Sequence, residues 1–392
     1  MKTTFFGTAT LTACLLIGTV NAQKLPQGIN NFPQGAQLTI EGEAESFPID
    51  PVESASGMAT INSLQSGLWN APGTWDCGCI PGLLDDVIIN ADHMVTLNMD
   101  ASITSMTILA SGGLTLETGS LYEIALSANW DNSGSFVPEQ GAVVFGSDTD
   151  QNIIGATTFY QVRLEGSQEV HVIHDVVINN LLTIIGSTLY PNTRLILAGN
   201  GTETASLDKV QNGIIAGDII VEKTLTPSNN GWLTVAVPSN NSTIEDWNDD
   251  FVTTGFAGAD YPMYSFISIQ RYDETNGDTP FVGIDSVSQA VVPGLGYYIY
   301  ANSGSYTFET VGQPIVGSQV MPVTYTPSGN ILEDGINVLG NPYPCDINWD
   351  SEDGWTKQNI NGAIYIWDAS QSQFKVYNNG YGVNGGSALV KS

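Results

Sequence analysis

The sequence predicts an all-β chain: a right-handed parallel β-helix followed by two small, β-rich, sandwich-like modules. Three observations carry this expectation. Charged residues make up only 13% while Gly reaches 42 and Pro 18, a composition poor in helix formers and rich in turns. Short β-branched runs recur from Leu64 to Thr226 with no helical segment between them. Those runs fit either an antiparallel sandwich or stacked parallel coils. Hairpin dipeptides are nearly missing there, apart from Asn200-Gly201 and Asn212-Gly213, and this favours the coils.

The chain of 392 residues is 42% hydrophobic, enough to bury a core and long enough for two or three domains. Its charge is lopsided, with 10 Lys+Arg against 40 Asp+Glu and a formal net charge of −30. Phosphate backbones and anionic membrane surfaces repel such a chain, so nucleic-acid binding is excluded.

Residues 1–22 read as a secretory signal peptide. Lys2 supplies the positive region, Phe5 to Val20 the apolar or small-residue stretch, and Val20-Asn21-Ala22 the small residues before a cleavage point. Leu11-Thr12-Ala13-Cys14 has the form of a lipoprotein box, but the apolar run continues past Cys14 and a cut there would fall mid-stretch. No later segment has the length of a membrane span. Residues 23–63 form a partly irregular leader segment. Past the signal the cysteines are Cys77, Cys79 and Cys345. Two cysteines without a second pair cannot close a zinc site, so a local Cys77–Cys79 disulfide is expected in an exported chain, with Cys345 a buried thiol.

The β-helix is assigned to 64–226. Its runs include Asp86-Val87-Ile88-Ile89, Met94-Val95-Thr96-Leu97, Ala142-Val143-Val144-Phe145 and Leu182-Thr183-Ile184-Ile185. In stacked coils such runs make aliphatic ladders inside, with Asn and Gly at corners that need left-handed backbone. Trp69 and Trp75 stand before the first clear strand.

Past Pro227 five of the eight Trp appear, and the sequence repeats itself. Gly231-Trp232-Leu233-Thr234-Val235-Ala236-Val237-Pro238 aligns with Gly335-Ile336-Asn337-Val338-Leu339-Gly340-Asn341-Pro342, an offset of 104. Each string is followed by an acidic-aromatic element, ending in Trp247 and Trp349 respectively. Each then has an aromatic strand ending in Asp, Gln270-Arg271-Tyr272-Asp273 and Tyr365-Ile366-Trp367-Asp368. The repeat gives two related modules, 227–325 and 326–392. The first copy closes 21 residues after Asp273 with Gly294-Leu295-Gly296-Tyr297-Tyr298-Ile299-Tyr300; the same spacing in the second lands on Leu389. The second module therefore reads as incomplete. A closing strand and a further domain are expected beyond Ser392.

Gly67-Leu68-Trp69-Asn70-Ala71-Pro72-Gly73-Thr74-Trp75, Asp85-Asp86-Val87-Ile88-Ile89 and His93-Met94-Val95-Thr96-Leu97 resemble the start of a β-helical repeat region. That region is common in large surface proteins of Gram-negative bacteria that use type IX secretion. Gly141-Ala142-Val143-Val144-Phe145 and Gln151-Asn152-Ile153-Ile154-Gly155 look like its later coils. Trp232 to Trp247 and Leu339-Gly340-Asn341-Pro342-Tyr343-Pro344 look like the paired β modules that often follow. Such proteins usually finish with a further strand, often of Gly-Gln-Gly-Phe-Phe type, and a sorting domain, neither of which is in this sequence. The resemblance implies export, surface display or release, and adhesion or matrix binding. It implies no shared enzymatic activity.

Catalytic signatures are sparse. His171 and His174 stand three apart, so on a strand their imidazoles diverge, and His93 reads as a structural residue. No Gly-x-Ser-x-Gly elbow or phosphate-binding loop appears. Between Asp85 and Glu222 the only basic residues are Arg163, Arg194 and Lys209, too few for a lyase acting on acidic polysaccharide. Carboxylates alone keep a β-helical glycosidase or lyase as the alternative function. Calcium is the one cofactor the sequence suggests. Asp273, Asn276 and Asp278 set oxygen ligands around the Gly277 turn, against the competing reading of a solvated acidic turn. Asp246, Asp249 and Asp250 form a second acidic cluster, and Asp350, Glu352 and Asp353 a third. Trp232 and Trp247 suit either stacking on sugar rings or a module core, and the core reading is preferred. The expectation is an exported, non-catalytic surface or extracellular protein whose partner is a polysaccharide or a surface protein.

Overall fold

The computed structural model describes residues 59–199, 204–208, 210–227, 229–327, 334–351, 354–368 and 370–391. The signal peptide, Cys14, most of the leader segment, Asn200-Gly201, Lys209, Glu352 and Asp353 lie outside them. The molecule is nearly all-β, a solenoid of about 6 turns followed by small antiparallel sheets.

The solenoid is built from three parallel stacks. The first has eight strands, from Thr60–Asn62 through Asp86–Ile89, Ser105–Ile108 and Trp130–Asn132 to Ile214–Ile215. The second has four, from Gly67–Leu68 to Ser135–Val137. The third runs from Ala101–Ile103 to a last strand, β1 (Ile219–Leu225). Past Val137 the second stack is replaced by two ten-residue strands, Thr157–Gly166 and Val176–Ile185, whose register shifts between Phe159 and Gln161. Stacked parallel strands, expected from unbroken apolar runs and missing hairpin turns, are what the chain forms.

Alternation within each strand explains the core. Val87, Met106, Trp130, Ile153 and Val172 meet rung by rung in the first stack, all 2% exposed or less. Ile124, Val143, Val162 and Leu182 do the same in the third. Each such aliphatic side chain contributes about 1.5–3 kcal/mol by leaving water. Inward polar residues form a ladder of their own: Gln151 donates to the Leu126 and Ala128 carbonyls, and Gln168 to the Phe145 carbonyl and to Gln151 Oε1, while Gln168 Oε1 itself has no partner. On the outside, residues 19 apart in sequence sit side by side, as in Ser167 donating to Asp148 and Arg194 to Asp175.

Corners take left-handed backbone at Gly155, Gly186, Asn192 and Asn212, and also at Asp92, Ser111 and Glu139. Gly155 is required on two counts. Its φ is 81°, and a Cβ there would lie 1.8 Å from the Asn132 carbonyl oxygen.

Both ends of the stack are covered. Trp69 and Trp75, fully buried, close the first rung edge to face at 4.9 Å, and the Trp75 indole N–H donates to the Trp69 carbonyl. Cys77 and Cys79 are joined by the expected disulfide just beyond. At the other end the solenoid sheet continues across residue 226 into the first module, whose strand β6 (Tyr306–Pro314) pairs antiparallel with β1.

The rest of the first module is a four-stranded antiparallel sheet in the order β2-β5-β3-β4. Here β2 is Gly231–Val235, β3 Ile269–Tyr272, β4 Phe281–Gly283 and β5 Tyr297–Ala301. A one-turn helix, α1 (Glu245–Asn248), drops Trp247 into a second core with Ile269, Tyr297, Ile299 and Phe308. The second module holds a two-stranded pair, β7 (Ile347–Asn348) with β11 (Leu389–Val390). It also holds a three-stranded sheet of β8 (Ala363–Asp368), β9 (Gln373–Asn378) and β10 (Tyr381–Val383). No helix among the described residues is long and apolar enough to cross a membrane.

Candidate functional site

The four-stranded sheet of the first module has one face in the core and one outside. Val235, Ile269, Tyr297 and Ile299 point inward, so the alternate positions Trp232, Thr234, Gln270, Tyr272, Tyr298 and Tyr300 share the outer face. Register brings them together: Trp232 opposes Tyr300, Thr234 and Gln270 flank Tyr298, and Tyr272 opposes Phe281. Two aromatic groups result. Trp232, Tyr300 and Phe266 meet at centroid distances of 5.1–5.6 Å. Phe281 touches Tyr272 and Tyr298 edge to face, both at 5.3 Å. Phe266 and Phe281 are exposed and the other rings are half-buried. The loop that supplies Phe266 also exposes Tyr261, Tyr264 and Met263, the last at 94%.

This face can bind by apolar contact and ring stacking, with the hydroxyl of Thr234 and the amide of Gln270 between the two ring groups. None of the eight side chains on it is charged. Burial raises the Tyr298 phenol above its usual range, so it stays a neutral hydrogen-bond donor.

The two tryptophans considered together in the sequence therefore part company. Trp247 is fully buried, in edge contact with Tyr297, and belongs to the core. Trp232, on the outer face, does not. Phe266 and Phe281 carried no signal of their own in the sequence, while Tyr272 stood in the repeated aromatic strand that ends in Asp273. The alternation Tyr297-Tyr298-Ile299-Tyr300 was the available clue, because a strand burying Tyr297 and Ile299 must turn Tyr298 and Tyr300 outward.

Of the residues expected to bind calcium, two make local hydrogen bonds and the third is exposed. Asp273 caps a short 3-10 turn: Oδ1 accepts from the Thr275 amide and hydroxyl, and Oδ2 accepts from Arg271. The Thr275 hydroxyl holds its carboxyl below the usual range. Asn276 donates its amide to the Thr279 carbonyl, and Asp278 is exposed. Among the described residues no group of three or more His, Cys, Asp or Glu could hold a metal ion. His171 lies flat on Tyr190 at 4.7 Å, His174 accepts from the Gly155 amide, and His93 bonds the Ser63 hydroxyl, so the three imidazoles serve separate local contacts.

Carboxylates do gather where the first module meets the solenoid. Asp250 Oδ2 accepts from the Glu309 amide at 2.8 Å, and Asp246 Oδ2 from the Thr243 amide at 3.0 Å. Glu309 pairs across the sheet with Glu222. Burial pushes Asp250 up to about 7 and raises Asp246, Glu222 and Glu309. Each of these two aspartates receives a backbone N–H, which makes them structural fasteners. On the solenoid's outer face Arg163 joins Glu123, at 3.0 Å, to Glu165. Cys345 is a half-buried thiol whose acidity burial weakens.

In comparisons with known proteins the chain matches no protein family, no curated protein and no solved structure.

Proposed function

We propose that the chain is an exported, non-catalytic protein of the cell surface or extracellular space that adheres to neutral polysaccharide through the aromatic face of its first module. The observation that carries this reading is the pair of outward ring groups around Tyr298 and Tyr300, with hydroxyl and amide side chains between them. Apolar faces of sugar rings stack on such surfaces while sugar hydroxyls meet the polar groups. A net charge of −30 disfavours acidic polysaccharides. Export is supported by the leader pattern up to Ala22 and by the Cys77–Cys79 disulfide, a bond that persists in oxidising compartments. The resemblance to type IX surface proteins points the same way.

Affinity electrophoresis or calorimetry of the chain with soluble neutral polysaccharides tests the reading. Trp232→Ala and Tyr298→Ala are each expected to weaken binding about tenfold, the equivalent of one lost ring contact. Their melting temperatures should stay near wild type because both rings lie outside the core. Undiminished binding in both variants would reject the site.

A carbohydrate-active enzyme is the second reading, favoured by the Glu123–Arg163–Glu165 group, a carboxylate pair with a cation on the solenoid exterior. Hydrolysis of any polysaccharide that is lost in Glu123→Gln or Glu165→Gln would support it over adhesion.

A further inference from the structure

Cys77-Gly78-Cys79 leaves a single residue between two bonded cysteines. A cross-link stabilises a fold mainly by restricting the unfolded chain, and that gain grows with the length of the loop it closes. Here the loop is the shortest that two non-adjacent cysteines can close. The chain on either side of it is also fixed by other means. Before the pair, Trp75 is buried with its indole N–H on the Trp69 carbonyl, and the Asp76 amide donates to the Asn62 carbonyl. The Asp76 carboxylate accepts in return from the Asn62 amide, at 3.1 Å, and from the Asn62 side chain, at 2.9 Å. After the pair, Pro81 is buried, and Gly82 and Asp85 exchange two hydrogen bonds. The disulfide therefore joins two points that the fold already holds.

The bond also lies open to solution. Cys77, Gly78 and Cys79 are all exposed. Apart from its chain neighbours, no described atom comes within 4 Å of where a Cβ on Gly78 would stand. Exposed disulfides are the labile ones, because exchange needs a thiolate to reach a sulfur. The two sulfurs are not equivalent. The Cys79 amide donates to Cys77 Sγ at 3.0 Å. That N–H stabilises negative charge on Cys77, which makes Cys77 the better leaving group and Cys79 Sγ the sulfur to attack.

We propose that Cys77–Cys79 is an exchangeable disulfide at the first rung of the solenoid, which reacts with small or peptide thiols through Cys79. A substrate thiolate attacks Cys79 Sγ, the S–S bond breaks, and its electron pair leaves on Cys77 Sγ beside the Cys79 amide. The product is a mixed disulfide between the substrate and Cys79. A second thiolate attacks the substrate sulfur of that bond and releases Cys79. Two thiols are thereby oxidised to one disulfide, the cysteine pair is reduced by two electrons, and the two substrate protons end on Cys77 and Cys79. The exchange is stoichiometric, once per chain, and stands beside adhesion without making the chain an enzyme.

The test incubates the full chain with millimolar β-mercaptoethanol in about tenfold excess over its own disulfide, conditions under which disulfides that staple a fold stay closed. Alkylation and mass mapping of the peptide that carries 77–79 separate the pair from the other cysteines. More than half of the pair should be reduced. A brief reaction quenched with the alkylating agent should place the hydroxyethyl adduct on Cys79 and the alkyl group on Cys77. The reduced chain should melt within about 1 °C of the oxidised one, since the flanks are held without the bond. A pair that stays oxidised, adducts on Cys77, or a melting temperature several degrees lower after reduction would each overturn the proposal.

Discussion

The first module and the second start from aligned sequences and reach different ends. Trp247 sits with Tyr297, Ile299 and Phe308 in a closed core, whereas Trp349 is half-buried, edge to face with Trp355, with the Lys357 ammonium 4.0 Å above its ring. The same acidic-aromatic element is hydrophobic packing in one copy and a polar clasp in the other. An aromatic residue's role here is set by what packs on it, Tyr297 and Phe308 in one copy and Trp355 and Lys357 in the other. Outer faces stay alike: Tyr272 and Phe281 in the first copy correspond to Trp367 and Phe374 in the second, which also meet edge to face, at 5.1 Å.

The largest way to break the comparison is to remove both tryptophans in turn. Trp247→Ala should cost about 3–5 kcal/mol in urea unfolding followed by circular dichroism, as a cavity in a closed core does. Trp349→Ala should cost about 1 kcal/mol. Equal costs would mean that the second module is as tightly packed as the first.

A smaller effect separates them by pH. Asp250 holds its proton to about pH 7 in the folded chain because burial disfavours its charge, and Asp246, Glu222 and Glu309 are raised for the same cause. The folded state therefore binds more protons than the unfolded one between the ordinary carboxylate range and neutrality. Stability from these groups is fully present below the unfolded pKa and falls as pH rises through about 7. The melting temperature of the solenoid and first module should decline over that window. Asp250→Asn, which keeps an acceptor for the Glu309 amide, should raise it by a few degrees at pH 8 and flatten the profile. Asp368 of the second module moves the other way, held down to about 2 by the Ser370 hydroxyl and Lys375, so its contribution is lost only in strong acid.

The smallest effect probes the clasp itself. Lys357→Ala removes a cation from above two rings and a donor from the Trp349 carbonyl, and should cost at most about 1 kcal/mol, weakening further with salt. Local hydrogen exchange at 347–349 would register the change, with the solenoid amides as an internal reference.

Much of the fold was legible without coordinates. Runs such as Asp86–Ile89 and Leu182–Ile185 carry their own instruction, since period-two alternation sends one set of side chains inward and missing hairpin turns force the next strand to lie parallel. The Cys77–Cys79 disulfide followed from the shortage of other ligands. The internal repeat was visible as strings of matching residues. Two things were not legible, each because it depends on residues distant in sequence. β6 completes the solenoid sheet by pairing with β1, so the module boundary at 226 is crossed by a ladder that no local pattern announces. Trp232 and Trp247 carry the same side chain, and only the tertiary structure sent one to the outer face and the other to the core. The sequence determines local period, turn chemistry and charge; which face an aromatic finally shows is decided by the strand that packs beside it.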